Sequence, residues 1–342
     1  MRKWVAIGPA PLLEMLAPLA AEHRRFGDAE LVEVSSSNLA RYVQSVCGPG
    51  TTVVIVESPF QPSMRERFKS PFVRLSNGSS VLVSWLRLDE ERLRTYANRA
   101  ATLLNRSMDQ PRTVVLLASR EQRYLQLLDE LEGIAKDSTQ LSLFRWSGER
   151  IRRTPLTSAL KLGAAAILFN GHGAARGWFA YGGMSAEALA GKDAWSAEQA
   201  SSVMFSLSCS TGSAGPVAGP ADGVPELGFA DAVVARGAAG AVVAPVRDPL
   251  HANNRALARA LMHAMCGSSF CVREVLEQAS MRASLDGFAV VGDPELPVHS
   301  AAGAVGRGRA VFAPAAGAVL VPRTSGWCAP IGSSAPERIR QN

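Results

Sequence analysis

Two short apolar runs in the second half of the chain each end beside a residue with a reactive side chain. The run at 165–169 leads into Asn-Gly-His-Gly, which contains His172, and the run at 203–208 leads directly into Cys209. Apolar runs of this length, bounded by glycine-rich segments, are typical of strands that are covered on both faces of a parallel sheet. We therefore expect His172 and Cys209 to lie at the same edge of one sheet, where open α/β sheets bind their ligands.

The first hundred residues alternate between strand and helix patterns. This βαβαβ order indicates a parallel sheet. Its third strand is followed by Glu57-Ser58, with no His or Cys, so this half shows no chemistry. We predict that residues 1–110 form a non-catalytic α/β domain with a scaffolding or partner-binding role. The predicted elements lie at 4–7, 12–24, 31–34, 39–46 and 52–56.

Residues 111–298 contain six further strand patterns with helix patterns between them. The predicted fold class is therefore α/β, with a mostly parallel six-stranded sheet flanked by helices and preceded by a smaller α/β domain. From His299 onward Ala, Gly and Pro dominate and periodicity is lost, so residues 299–342 are predicted to be a C-terminal tail. The six strands are expected at 113–118, 141–146, 165–169, 203–208, 240–246 and 288–291.

The composition is typical of a globular protein, with 47% hydrophobic and 19% charged residues. The net charge is +6, but Arg and Lys are scattered, so we expect a solvated basic surface and no nucleic-acid partner. The five cysteines fit neither a disulfide framework nor a zinc site, which favours a reducing compartment. Glu14 and Gly8-Pro9 interrupt the apolar N-terminus, and no run reaches membrane-spanning length. We expect a cytoplasmic protein with no membrane association, metal or cofactor.

The residue types at the two strand ends suit nucleophilic catalysis. A thiol attacks an acyl carbon as the thiolate, and a neighbouring imidazole removes its proton or stabilises the anion. Gly171 and Gly173 leave space for a substrate backbone beside His172. The other histidines lie on predicted helices or in the tail. We therefore predict that His172 and Cys209 form a catalytic pair, although either one alone would more often be an ordinary core or turn residue.

Four motifs, in the same order, resemble those of the CHAT family of caspase-like cysteine peptidases, whose clan includes caspases, separase and the gingipains. The resemblance covers residues 111–298 and implies a peptidase domain with a His172–Cys209 dyad and no strict third catalytic side chain. It also implies an oxyanion hole formed by the backbone N–H groups of Gly173 and Cys209. In two places the chain departs from the family pattern, with Leu207-Ser208 in place of Ser-Ala and Ala244-Pro245 in place of Leu-Trp. The motifs are Asn170-Gly-His-Gly173, Leu207-Ser-Cys-Ser-Thr-Gly212, Arg236 to Asp248, and Val291-Gly-Asp-Pro294.

The resemblance implies a cysteine endopeptidase that cleaves a specific protein substrate. Family members are often regulated by a protein partner and tied to bacterial defence or cell death. In separase, which cleaves after Arg, an Asp in a Val-x-Asp segment faces the basic side chain, and Val246-Arg247-Asp248 is similar. Asp248 is therefore a candidate substrate-binding residue for a basic side chain. It could equally cap the following helix or pair with Arg247.

Two other functions stay open. The first is a catalytically inactive interaction module that retains the caspase-like fold. The second is nucleotide binding, which has weaker support because no Gly-rich phosphate loop follows an early strand.

Overall fold

The computed structural model describes residues 3–304 except 36–37, 47, 108, 110–111, 148–155, 158–159, 182, 191–194 and 216–225. Within these residues an eleven-stranded, mostly parallel sheet runs through the molecule, and a three-stranded sheet lies beside it. The strands are β1 (Lys3–Gly8), β2 (Asp28–Glu33), β3 (Thr51–Glu57), β4 (Phe72–Arg74), β5 (Ser80–Arg87), β6 (Arg112–Ala118), β7 (Leu141–Ser147), β8 (Ala166–Asn170), β9 (Gly173–Ala174), β10 (Gly177–Trp178), β11 (Met184–Ser185), β12 (Ser201–Leu207), β13 (Ala239–Pro245) and β14 (Phe288–Gly292).

Helices flank the large sheet and follow most of its strands. The helix Glu90–Leu104 begins at Asp89, whose carboxylate accepts the Arg92 backbone N–H at 2.9 Å. The helix Phe229–Arg236 ends at Gly237, which adopts a left-handed conformation with φ 78°. The described helices are Ala10–Met15, Ala17–Phe26, Leu39–Val46, Glu90–Leu104, Gln122–Ala135, Ala186–Ala190, Phe229–Arg236, His251–Cys266 and Val272–Ser280, with a 3₁₀ turn at Arg65–Arg67.

The six strands predicted for residues 111–298 form a continuous part of the large sheet, in the order β14-β13-β12-β8-β6-β7. All pair parallel except β14, which is antiparallel to β13. Every residue of β6, β8, β12 and β13 is buried, because both faces of these strands are covered. The prediction of a mostly parallel six-stranded sheet flanked by helices is confirmed.

The N-terminal strands extend the same sheet. β2, β1, β3 and β5 pair parallel to one another, and β5 meets β14 at one registered pair, Trp85 and Val291. One hydrophobic core contains residues from both halves, among them Leu16, Tyr96 and Phe205. A domain boundary near residue 110 stays a prediction.

Two further features concern the ends and edges of the fold. Of the predicted tail, His299 and Ser300 are buried, and the Ser300 hydroxyl accepts the backbone N–H of Thr113 at 2.6 Å. Residues 305–342 lie outside the described residues. No helix in the described part of the chain is long and apolar enough to cross a membrane. The small sheet β9–β10–β11 follows His172 directly, and sequence patterns missed it because two-residue strands show no periodicity.

Candidate active site

The register of two neighbouring strands places His172 and Cys209 at the same edge of the sheet. β8 pairs parallel with β12, and Asn170 lies opposite Leu207. His172 and Cys209 each come two residues after that pair, so both follow the carboxyl ends of adjacent strands. The His172 side chain is 44% exposed and Cys209 is a half-buried free thiol. Both residues therefore follow adjacent strands at the same edge of the sheet, and both are accessible to solvent.

Three side chains that follow β6 surround the imidazole of His172. Its Nε2 lies 3.2 Å from Glu121 Oε1, 3.2 Å from the Arg123 guanidinium and 3.5 Å from the Tyr124 hydroxyl. A protonated Nε2 can donate to Glu121, and an unprotonated Nε2 can accept from Arg123. Nε2 therefore has a hydrogen-bond partner whether or not it carries a proton.

Tyr124 lies close to both His172 and Cys209. Its ring packs edge-on against His172, with 5.3 Å between centroids, and against His251 at 5.4 Å. Burial raises the pKa of Tyr124, and the nearby Cys209 thiolate contributes in the same direction. The phenol therefore stays protonated at neutral pH and offers a hydrogen-bond donor beside both reactive groups.

Sequence reasoning did not identify Glu121 or Tyr124 as residues of this site. Both come just after β6, which pairs with the other side of β8 so that Ala118 lies opposite Asn170. These residues lie beside His172 because β6 and β8 are adjacent strands of the sheet. The one local signal is their position immediately after a buried strand.

A buried cluster of hydroxyl groups supports the turn that carries Cys209. Ser206 Oγ lies 2.9 Å from Thr211 Oγ1 and 3.1 Å from Ser208 Oγ. The indole N–H of Trp178, in β10, donates to Ser206 Oγ at 2.8 Å. This cluster links β12, the strand before Cys209, to the hairpin that follows His172.

The residue after Cys209 has an unusual backbone conformation. Ser210 has φ 54°, a left-handed conformation that residues other than glycine rarely adopt. Its hydroxyl donates to Asp248 Oδ1 at 2.9 Å. Strained residues of this kind cluster at functional sites, where the surrounding structure maintains them.

Asp248 lies beside Cys209 and is exposed to solvent. Burial raises the pKa of the Cys209 thiol, and the Asp248 carboxylate raises it further because like charges repel. The alternative role of Asp248 as a helix cap is not observed, since the helix His251–Cys266 starts after Leu250 and has no side-chain cap. Arg247 donates to the Glu66 carbonyl oxygen at 3.4 Å.

Gly173 packs closely against the turn that contains Ser208 and Cys209. A Cβ atom at this position would lie 2.8 Å from Ser208 Oγ and 3.0 Å from the Gly177 carbonyl oxygen. A side chain would therefore push the hairpin away from Cys209. This close approach fits the oxyanion hole predicted for the Gly173 and Cys209 N–H groups, which stays a prediction.

Away from this edge, the described residues form a cavity but no metal site. A cavity of about 540 Å³ opens near the amino ends of β1 and β2, where Trp4, His23, Phe26 and Phe270 line it. Within the described residues, no group of three or more His, Cys, Asp and Glu side chains could hold a metal ion.

The fold and the family comparison agree on the class of protein, a cysteine peptidase with a caspase-like α/β fold. A model of peptidase family C25 matches residues 89–299, which is more than half of the chain. The chain belongs to peptidase family C25. The clan predicted from the motifs is confirmed, whereas the family that matches is C25 and the CHAT assignment is not confirmed. No curated protein sequence matches the chain.

Two solved structures share the fold. The first is the Arg-specific cysteine proteinase gingipain R (RgpB), with a TM-score of 0.68 and 14% identity over 88% of this chain and 79% of that chain. The second is the complex of the pro- and mature domains of Porphyromonas gingivalis RgpB, with a TM-score of 0.64 and 13% identity over 87% of this chain and 80% of that chain. At these identities the likeness establishes the fold alone.

Proposed function

We propose that this cysteine peptidase is an endopeptidase that uses Cys209 and His172 to cleave a protein substrate after a basic residue. The observation that carries the proposal is the β8–β12 register, which brings the thiol and the imidazole to one exposed edge. The Glu121 carboxylate, 3.2 Å from His172 Nε2, supports it, because the base of a nucleophile–base pair is commonly oriented by a third group.

The reaction then follows the usual order for a thiol and an imidazole. The imidazole takes the Cys209 proton, and Sγ forms a bond to the substrate's carbonyl carbon. The C–N bond breaks as the imidazolium gives its proton to the leaving amine, which leaves a thioester. Water then attacks the thioester as the imidazole takes a proton from it, the C–S bond breaks to release the carboxylic acid, and the imidazolium returns its proton to Sγ.

Asp248 is the proposed receptor for the basic side chain. Its carboxylate lies next to Cys209 and is oriented by the Ser210 hydroxyl. A guanidinium can pair with a carboxylate through two parallel hydrogen bonds. Such a cation would also offset the repulsion between Asp248 and the Cys209 thiolate. The Arg specificity of the structural neighbour gingipain R supports the same preference.

Matched fluorogenic peptides that differ only in the residue before the scissile bond test this specificity. We expect cleavage after Arg or Lys, and loss of that preference in Asp248→Ala. Cleavage after an apolar or acidic residue that is unchanged in Asp248→Ala would contradict the role of Asp248. Mapping of new N-termini in a proteome after incubation with wild type and with Cys209→Ala would then identify substrates.

Control by a protein partner is a second part of the proposal. The structural neighbour that contains both the pro- and mature domains of RgpB supports it, because there a protein domain binds a peptidase of this fold. A cytoplasmic location and a role in bacterial defence stay predictions. The alternative, a catalytically inactive interaction module, predicts that no peptide is cleaved and that Cys209 is not labelled by substrate-like reagents.

A further inference from the structure

A short segment of the N-terminal half contacts the loop that follows the nucleophile. The Arg65 guanidinium donates to the Gly212 carbonyl oxygen at 3.1 Å. The Glu66 carboxylate accepts the backbone N–H of Ala214 at 3.0 Å. Gly212 and Ala214 come three and five residues after Cys209. Two consecutive side chains from the first half therefore bind the backbone of the loop that carries the nucleophile.

Arg65 also binds the helix that follows this loop. Its two terminal nitrogens donate to both carboxylate oxygens of Asp231, at 2.5 and 3.1 Å, and neither side chain is exposed. Asp231 lies in the first turn of the helix Phe229–Arg236. In the same turn, the backbone N–H of Ala230 donates to the Thr211 carbonyl oxygen at 3.3 Å. One guanidinium thus connects the nucleophile loop to the start of this helix.

The cost of burying this ion pair suggests a role beyond stability. Removing two charges from water costs several kcal/mol per ion, and apolar residues of similar volume often stabilise a fold equally well. A bidentate pair does fix geometry, because both groups are planar and the bonds are directional. The Arg65–Asp231 pair is therefore better explained by positioning of the loop than by its contribution to folding.

The segment that presents Arg65 is itself fixed by hydrogen bonds. Glu57, at the end of β3, accepts the Ser63 hydroxyl at 2.6 Å and the Met64 backbone N–H at 2.8 Å. Arg65 begins a 3₁₀ turn directly after these residues. Arg65 and Glu66 also lie outside residues 89–299, the region matched by the family model.

We propose that Arg65 and Glu66 are positioning residues of the peptidase site, and that the N-terminal half sets the geometry of the Cys209 loop through them. This inference rests on the proposed catalytic role of Cys209. It assigns a function in catalysis to a half of the chain whose strand ends carry no nucleophile.

Glu66 offers a matched set of variants. Glu66→Ala removes the acceptor for the Ala214 N–H, Glu66→Gln keeps a neutral acceptor, and Arg67→Ala alters the exposed neighbour on the same turn. We expect kcat to fall about tenfold in Glu66→Ala, the size of one lost charge-assisted hydrogen bond, with KM changed less than about twofold. Glu66→Gln should recover most of the loss, and Arg67→Ala should match wild type.

Arg65 requires a paired substitution. Arg65→Met alone leaves the buried Asp231 charge unpaired and is expected to unfold the protein. The double variant Arg65→Met with Asp231→Leu replaces the pair by apolar residues and should fold, as thermal unfolding would report. Because the Gly212 carbonyl oxygen loses its donor, we expect kcat to fall about 10²-fold, as for other small displacements in active sites.

The decisive experiment measures kcat, KM and hydrogen exchange at Ala214 in wild type, the three single variants at positions 66 and 67, and the double variant. Faster exchange at Ala214 in Glu66→Ala, together with a fall in kcat that Glu66→Gln reverses, supports the inference. Wild-type kcat in both Glu66→Ala and the folded double variant would overturn it, as would equal losses in Glu66→Ala and Glu66→Gln. A wild-type protein that cleaves no peptide would instead contradict the proposed function.

Discussion

Two histidines of this chain, His172 and His23, each lie beside a carboxylate, and the two pairs are at opposite ends of the strands of the sheet. At the carboxyl edge, His172 lies 3.2 Å from Glu121, and the two side chains are 44% and 48% exposed. Near the amino end of β1, His23 lies 2.7 Å from Asp293, and these side chains are 7% and 0% exposed. Both pairs have the composition of a catalytic pair, but their surroundings differ.

The surroundings assign a different role to each pair. His23 stacks on Trp4 at 4.5 Å, and Asp293 also accepts the Trp4 indole N–H at 3.3 Å, while its own backbone N–H binds the Tyr96 hydroxyl. His23 comes from the N-terminal half and Asp293 from the end of β14, so this buried pair joins the two halves. In the exposed pair, His172 has a glycine on each side, and the Cys209 thiol comes just after the neighbouring strand β12. Exposure and a reactive neighbour, rather than the histidine and carboxylate alone, indicate catalysis.

The largest expected effect is on catalysis, when Cys209 or His172 is replaced. Cys209→Ala and His172→Ala should each lower kcat/KM by about three orders of magnitude or more. The two residues act as a unit, so the loss of either one removes most of the catalysis that both provide. The midpoint of thermal unfolding should change little, since both side chains lie at the solvent-accessible edge of the sheet rather than in the core. Substantial cleavage by either purified variant would rule out the dyad.

The opposite result is expected at the buried pair. His23→Ala removes the partner of one oxygen of the buried Asp293 carboxylate, while the other oxygen keeps the Trp4 indole N–H, so the free energy of unfolding should fall by about 1–3 kcal/mol. Peptide cleavage per folded molecule should equal that of wild type. His23→Gln keeps a donor and should lose less stability. A folded His23→Ala protein with reduced kcat would break the comparison, because the buried pair would then act on catalysis.

An intermediate effect is expected at Asp248, on the pH dependence of the thiol. Burial raises the pKa of Cys209, and the negative charge of Asp248 raises it further. Asp248→Asn removes the repulsion between the carboxylate and the thiolate, so the pKa of Cys209 should fall and the thiolate should form at lower pH. Rates of alkylation by iodoacetamide across pH should therefore show a lower midpoint in Asp248→Asn.

Two controls sharpen this pH experiment. The shift should shrink at high salt, because Asp248 is exposed and its field is screened. Asp28→Asn removes an exposed carboxylate near the amino ends of the strands and should leave the midpoint unchanged. A midpoint in Asp248→Asn that stays the same or rises would contradict the close contact between Asp248 and Cys209.

The smallest effect is expected at Glu121. Exposed ion pairs contribute at most about 1 kcal/mol, so Glu121→Gln should lower kcat/KM by no more than about fivefold. A matched control is Glu132→Gln, on the same helix but beside Arg145 rather than His172. A loss of several hundredfold in Glu121→Gln would show that the carboxylate is an essential member of the site.

Sequence patterns predicted the strands of the site well, because fully buried strands appear as continuous apolar runs. The runs before His172 and Cys209 correspond to β8 and β12, and their shared edge followed from the parallel order. The motifs identified the clan, but they did not separate CHAT from C25. Motifs that serve the same chemistry are shared across a clan, so they specify the reaction more closely than the family.

Contacts that depend on the order of strands in the sheet could not be predicted. Glu121 follows β6, and its position beside His172 requires that β6 and β8 are neighbours. Arg65 is a fully buried arginine in a short turn, where neither periodicity nor hydropathy indicates burial. Its partner Asp231 lies in the other half of the chain, so only the folded structure shows that the first half reaches the nucleophile loop.

Covalent labelling of the nucleophile tests the central claim most directly. Wild type is treated with a peptidyl-arginine chloromethyl ketone, and the modified residue is mapped by mass spectrometry. We expect one label per chain, on Cys209, with slower labelling in His172→Ala and none at that position in Cys209→Ala. Cys266 and Cys271 should stay unmodified, because burial raises the pKa of Cys266 and Cys271 is buried. Label on Cys266 or Cys271 with none on Cys209 would contradict the assignment of Cys209 as the nucleophile.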